Sequence, residues 1–266
     1  VTISTIAEKA HAQLAQADLE VTLGGEPTYI PIKPEGGEWQ FEAVGPTKLK
    51  YAERLTERLL AGPLKGGAVF FCPGKLYPGE VNPRWTVKIL FRESGKPFRG
   101  SGGKQELHLR DYSRQLSRLL GVPPNWLELE DPLDANNRVL AMPLDFDQEE
   151  WKSRPWPLAR KLRKLSAAEG PAGLRLPLEH FPENITQRVL TLEQSGDKLT
   201  IFFPPLAAAP FVDLLAAVDN AAVSSNSALP YLAGYVPPDS GGNWQVLGIA
   251  ADPGVLEINL PVCKTW

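Results

Sequence analysis

Ile3, Ile6, Ala10 and Leu14 recur at helical spacing, so the apolar pattern predicts a helix over 3–17. Ala52, Leu55 and Leu59 form the stripe of a second helix over 47–60, with Arg54, Glu57 and Arg58 on its wet face. Tyr112, Leu116, Leu119 and Leu120 mark a third over 107–120, and Phe211, Leu214, Leu215 and Val218 a fourth over 210–223. Alternating or continuous apolar runs predict strands over 18–23, 66–72, 85–91, 126–130, 138–143, 187–192, 199–203, 231–236, 244–250 and 255–260. Ser195-Gly196-Asp197 closes two of them into a hairpin. Helices and hairpins alternate without a regular βαβ period and without an internal repeat. The expected class is therefore α+β, with a mainly antiparallel sheet and flanking helices. A single domain over 1–266 is expected, with a sub-boundary near 151–170.

Chain breakers place the polar residues that stand out. Asp252-Pro253-Gly254 reads as a tight turn that aims the strand after it. In that strand Glu257 and Asn259 share one face, while Leu256, Ile258 and Leu260 take the other. The face is either solvated, as in a one-sided antiparallel sheet, or turned toward a site. Glu26 follows Gly24-Gly25 and fits a strand exit at a cleft or a plain turn with a solvated carboxylate. Four breakers between Pro73 and Trp85 rule out a helix and put Lys75, Glu80, Asn82 and Arg84 on a rigid loop between strands. Gly45-Pro46-Thr47-Lys48 opens the second helix. Its amides and the Lys48 ammonium together fit an anion. Arg175 lies inside an apolar run and needs a carboxylate or other anion if buried.

Composition narrows the classes. A 43% hydrophobic and 22% charged chain of 266 residues buries a sizeable core. A net charge of −3 lacks a nucleic-acid footprint, and no window reaches the apolar length of a membrane span. The start of the chain lacks signal-peptide features, and Cys72 and Cys263 read as buried free thiols, so a reducing, cytoplasmic setting is expected. His11, His108 and His180 are too scattered for a local Cys/His metal cluster. The Gly-rich basic stretch over 93–105 lacks phosphate-loop spacing and reads as a mobile surface loop. The acidic run at Asp145, Asp147, Glu149 and Glu150 lacks the central Gly of a calcium loop. Residues 151–163 mix Trp, Pro and basic side chains and read as a connector or partner-facing strip rather than a nucleic-acid surface.

The runs LGGEPT, GPTK, GKLYPGEVNPRW, GLRLPL, FFPPL, GYVPP and DPGVLEIN, in order from about Leu19 to Trp266, resemble the bacterial putative amidoligase family, often found behind a transglutaminase-like domain. The resemblance implies a curved, glutamine synthetase-like antiparallel sheet whose concave face holds ATP and Mg²⁺. It implies a carboxylate–amine ligase working through an acyl phosphate, with small-molecule or peptide acid and amine substrates. Carried over by position, Glu26, Glu80 and Glu257 are the metal ligands, and Lys75, Arg84 and Lys48 hold the nucleotide. Glu257, Asn259 and Arg175 are the catalytic candidates. Relatives continue into a Gly-Gly-Gly-Asn-His run and place His where this chain has Pro261. The chain is therefore expected to be an N-terminal portion, inactive alone, with the remainder of the same protein as its partner. The competing expectations are a non-catalytic binding or interaction module and, more weakly, a hydrolase using Glu26 and Glu257 as paired carboxylates.

Overall fold

A computed structural model describes residues 2–19, 24–80, 83–105, 108–238 and 242–262. In chain order the elements are α1 (Ile3–Gln16), β1 (Thr28–Tyr29), α2 (Pro46–Ala61), β2 (Ala68–Pro73), β3 (Trp85–Phe91), α3 (Leu109–Leu119), β4 (Leu127–Leu129), β5 (Arg138–Pro143), β6 (Asp145–Asp147), β7 (Glu150–Lys152), β8 (Val189–Ser195), β9 (Lys198–Phe203), α4 (Ala208–Ser224), β10 (Tyr231–Gly234), β11 (Gln245–Asp252) and β12 (Val255–Asn259). Ten strands join one sheet in the order β1-β12-β11-β3-β2-β10-β9-β8-β5-β4, and β6 and β7 form a separate hairpin. The class is α+β and the sheet mostly antiparallel, as the pattern predicts.

Two junctions in the middle of the sheet are parallel: β10 runs parallel to both β2 and β9. The second arises because α4 connects β9 to β10 as a crossover, the connection that adjacent parallel strands require. One βαβ unit is thus embedded among hairpins, where the order of elements suggested none.

Both faces of the sheet bury apolar side chains, for the period-two reason. On one face Phe70 of β2 and Phe203 of β9 pack edge-on, 5.4 Å between ring centres, with Phe211 of α4 against them. Leu109, Tyr112 and Leu116 of α3 join the same cluster. On the other face Val87, Ile89, Leu247, Ile249 and Leu256 pack with Trp39 and with Ala52 of α2. A third cluster sets Leu127, Leu129, Val139 and Ala141 of β4 and β5 against Trp156, Leu158, Leu165 and Leu176.

Two expectations change here. The Trp/Pro/basic stretch is not a partner-facing strip: Trp156 is buried and stacks on Phe181 at 4.0 Å, and Trp151 Nε1 donates to Asp213 at 2.6 Å. Trp156 is core and Trp151 half-buried, while the basic side chains are exposed together with Pro155 and Pro157. The strand expected over 18–23 does not begin at Asp18, which takes a positive φ of 53° just after α1. Residues 20–23 lie outside the described residues, as do Asn82 and Cys263.

The helices α3 and α4 stop short of one end of the sheet. Phe70, under α4, stands beside Lys88 of β3, which stands beside Gly248 of β11, which stands beside Asn259 of β12. One row up, Thr86, Ala250, Glu257 and Thr28 are directly opposed in the same way. Directly opposed residues share a face. The face that is apolar beneath α3 and α4 therefore turns polar across β3, β11, β12 and β1.

Candidate functional site

That polar end of the sheet is concave. A cavity of about 340 Å³ is lined by Lys75 and Arg84 from the β2–β3 loop, Thr86 and Lys88 from β3, Gly248, Ala250 and Asp252 from β11, and Glu257 and Asn259 from β12. Its floor is open because β11 contributes small residues there. A second cavity of about 380 Å³ adjoins it, lined by Gly24, Gly25 and Glu26 and sharing Asn259 and Leu260.

The DPG turn holds β11 and β12 in register. Gly254 has φ of 72°, a left-handed conformation costly for residues with a side chain, and a Cβ there would lie 3.1 Å from the Gln40 carbonyl oxygen. Asn259 Nδ2 donates to Glu257 Oε1 at 3.0 Å, so carboxylate and carboxamide act as one unit with oxygens free to face the cavity. Glu26 joins their side of the sheet, because Ile258 N donates to the Pro27 carbonyl at 2.8 Å and Leu260 N to the Gly25 carbonyl at 3.0 Å. That ladder continues the pairing of Thr28 with Glu257 and sets Glu26 opposite Asn259.

The loop between β2 and β3 is closed at its base by Arg84 N donating to the Lys75 carbonyl at 2.9 Å. Arg84 is committed to protein partners. Its Nε donates to Glu80 Oε1 at 2.9 Å, its Nη1 donates to Asp252 Oδ1, and its guanidinium lies 4.1 Å over the Tyr77 ring. The Arg84 hydrogen bond holds the Glu80 carboxyl below its ordinary range. Glu80 and Arg84 thus form the buttress of the cavity wall, with the Arg84 charge balanced on both sides.

Lys75 and Lys88 are different. Among the described residues neither makes an ion pair, and both line the cavity opposite Glu257. Lys88 was not among the residues singled out from the sequence. Its signal was present in the alternation of β3, where Val87 and Ile89 are core and Thr86 and Lys88 take the opposite face.

Lys48 does not face an anion. It is fully buried, and its ammonium donates to the carbonyls of Glu42 at 3.1 Å, Ala43 at 2.9 Å and Asp252 at 2.5 Å. Burial pushes its pKa down to about 8, with Glu38 and Asp252 opposing. The α2 N-terminus does hold an anion, but that anion is Glu38. Its carboxylate accepts from the Lys48 amide at 2.9 Å, the Thr47 amide at 3.2 Å and the Thr47 hydroxyl at 2.5 Å. Burial works to raise this carboxyl, and those donors outweigh it and hold it below the ordinary value. Gly45 makes the nest, since a Cβ there would lie 2.2 Å from the Glu38 carboxylate.

Arg175 is not at the cavity. It makes a bidentate pair with Asp131, at 2.9 and 2.5 Å, and its Nε donates to the Ser166 carbonyl at 3.0 Å. Both side chains are almost wholly buried. The anion an apolar environment demands is present, but it is a structural carboxylate beside the third core cluster.

The three expected metal carboxylates are likewise not brought together. Glu26 and Glu257 line adjoining cavities, while Glu80 is held by Arg84. Among the described residues no three His, Cys, Asp or Glu side chains gather to hold a metal. No described helix is long and apolar enough to cross a membrane.

What converges is a pair of unpaired ammonium groups facing a carboxylate–carboxamide pair, with a further carboxylate at the mouth. Such a surface can hold a polyanion on the lysines and a hard cation on the oxygens. No match was found among curated proteins or solved structures. A family model described as "Putative amidoligase enzyme" matches residues 1–114 and 180–266, well over half of the chain, and includes every residue lining both cavities. The chain belongs to that family.

Proposed function

We propose that the cavity on β3, β11 and β12 is part of an ATP-dependent carboxylate–amine ligase site, in a sheet of glutamine synthetase type. The observation that carries this reading is the position of Lys75 and Lys88, unpaired among the described residues, across the cavity from Glu257 and Asn259. Phosphoryl transfer needs fixed cations at the phosphate oxygens, and the two lysines supply them. Mg²⁺ uses one or two carboxylates together with phosphate oxygens, so Glu257 and Glu26, with the Asn259 carboxamide between them, form a suitable donor set without a third carboxylate. Bound Mg²⁺–ATP would supply the phosphoryl group that makes the acid an acyl phosphate, ready for attack by an amine. The residues of this chain bind and orient. Arg84, neutralised by Glu80 and Asp252, keeps the wall in place rather than taking phosphate.

Calorimetric titration with a non-hydrolysable ATP analogue, with and without Mg²⁺, tests the reading. Wild-type affinity rises when Mg²⁺ is added, and Glu257→Gln removes most of that rise. Affinity that is Mg²⁺-dependent to the same degree in both proteins would refute it. The hydrolase reading is disfavoured by Lys75 and Lys88, which would stand inside its sugar groove. The binding-module reading is left with the nucleotide-free outcome of the same titration.

A further inference from the structure

The ten-stranded sheet ends at β1, beside the candidate site, and the outer side of β1 is bare. On its inner side the Pro27 carbonyl accepts from Ile258 N, the Gly25 carbonyl accepts from Leu260 N, and Tyr29 is paired with Leu256. In an antiparallel ladder the residues between these turn their amides and carbonyls the other way. Those residues are Glu26 and Thr28. Among the described residues nothing bonds to either backbone, and no strand lies beyond β1. Such an edge is a template for another chain, and proteins commonly blunt it with proline or lysine. Pro27 does not blunt this one, because its missing N–H falls on the inner side. The edge is also held firmly, since Tyr29 packs against Tyr51 of α2 at 5.8 Å and against Trp39 at 6.5 Å between ring centres.

The two ends of the edge differ. Exposed apolar side chains gather at the end toward the DPG turn. Ile30 and Ile32 follow β1 there, and Ile32 is fully exposed. Phe41 and Val44 flank the Glu42 and Ala43 carbonyls that Lys48 ties to Asp252, and Tyr77, next to Leu76, lies over Arg84. At the other end lies the cavity of Gly24, Gly25 and Glu26, where the two glycines put no side chain in the way. On the face of the sheet that carries Tyr29, a pocket of about 100 Å³ opens beside the edge, walled by Tyr29, Tyr51, Leu55 and Leu256.

We propose that the acid substrate is the C-terminal carboxylate of an extended peptide, which adds to the outer edge of β1 as an antiparallel strand. The direction follows from the fold. β1 runs from Glu26 toward the DPG turn, so an antiparallel neighbour runs from the apolar end to the cavity and arrives there with its C-terminus. The amides and carbonyls of Glu26 and Thr28 supply the main-chain bonds, and pockets for alternate side chains supply selectivity, as in other strand-addition sites. A peptide side chain opposite Tyr29 falls beside the 100 Å³ pocket, and one opposite Thr28 falls on the concave face with Glu257. The added strand lies about 5 Å outside β1, and hence about 10 Å from β12. The last residue, turning across Gly24 and Gly25, brings its carboxylate toward Asn259 and the cavity that Lys75 and Lys88 line. The choice of a carboxylate as the reacting group rests on the ligase reading; the free edge does not.

The test is an array of octapeptides with apolar residues at alternate positions, anchored by their N-termini, one set ending in free carboxylates and a matched set in amides. The labelled full chain is applied with Mg²⁺ and a non-hydrolysable ATP analogue. Peptides of the carboxylate set bind at least tenfold tighter than their amides. Thr28→Pro, which removes one outward amide, loses at least tenfold of that binding and keeps its melting temperature and its affinity for the analogue. No binding in either set, equal binding of both, or undiminished binding by Thr28→Pro overturns the proposal. A dimer of the free chain that Thr28→Pro dissociates gives the edge to a second copy and overturns it as well. Hydrogen exchange on the wild type needs no substitution: the Thr28 amide slows at least tenfold with the tightest-binding peptide, and unchanged exchange overturns the docking. Carboxylate-selective capture at the edge by a chain with no affinity for the ATP analogue supports the docking and sinks only the ligase reading.

Discussion

Replacing Lys48 by Met tests whether this buried ammonium is the strut of the site. Met keeps the length and apolar volume of the stem and removes only the donors. Three carbonyls lose a partner: Glu42, Ala43 and Asp252. The Glu42 carbonyl also accepts from Gly254 N at 3.3 Å, so two of the three bear most of the loss. A buried acceptor left unsatisfied costs about 1–3 kcal/mol. The expected destabilisation is therefore about 2–6 kcal/mol, a large share of the roughly 5–15 kcal/mol that holds a typical domain together. It appears in urea unfolding as a lower midpoint with an unchanged slope. The pH dependence adds a signature. The folded pKa of Lys48, about 8, lies below the ordinary 10.5, so the unfolded chain binds more protons between those values. Stability from this group therefore rises as pH climbs from about 8 toward 10.5. Met lacks that rise, and the gap between wild type and variant widens over the same window. A loss under about 1 kcal/mol, or a gap that narrows with rising pH, would refute the assignment of Lys48 as a strut.

Two further predictions concern groups away from the cavity. Asp131→Asn leaves the buried Arg175 guanidinium without its countercharge and costs about 3–5 kcal/mol by urea unfolding, whereas Asp131→Leu with Arg175→Met recovers most of it. The Arg175 hydrogen bonds hold the Asp131 carboxyl well below the usual carboxylate range, so this pair's contribution is complete above pH 3.8 and declines only under stronger acid; a loss that begins near pH 6 would contradict it. Burial pushes the Cys72 thiol up to about 12 against the pull of Lys88, so iodoacetamide at pH 8 leaves Cys72 unlabelled in the folded chain and labels it in urea, as read by peptide mass spectrometry.

How much of this was legible can be argued residue by residue. The DPG turn and the proline loop brought Glu257, Asn259, Lys75 and Arg84 to one cavity because turn chemistry is local and period two assigns faces. Lys88 was missed because it sits within an apolar strand, although its alternation with Val87 and Ile89 marked the polar face. Lys48 and Arg175 were placed by a sound rule with the wrong partner. A helix N-terminus attracts an anion and a buried Arg requires one, but neither rule says where the anion comes from. Glu38 and Asp131, ten and forty-four residues away, supplied them. The uncovered end of the sheet was not legible at all, since it depends on where α3 and α4 stop across strands distant in sequence.

The central claim is that Lys88 and Glu257 face one bound polyanion–metal unit. Its most direct measurement is the affinity of Mg²⁺–pyrophosphate for the wild type, for Lys88→Met and for Lys65→Met, an exposed lysine away from the cavity, each checked for an unchanged melting temperature. The account predicts weaker binding by about tenfold or more in Lys88→Met, near 1.4 kcal/mol, and wild-type affinity in Lys65→Met. Equal affinity in all three proteins would contradict it.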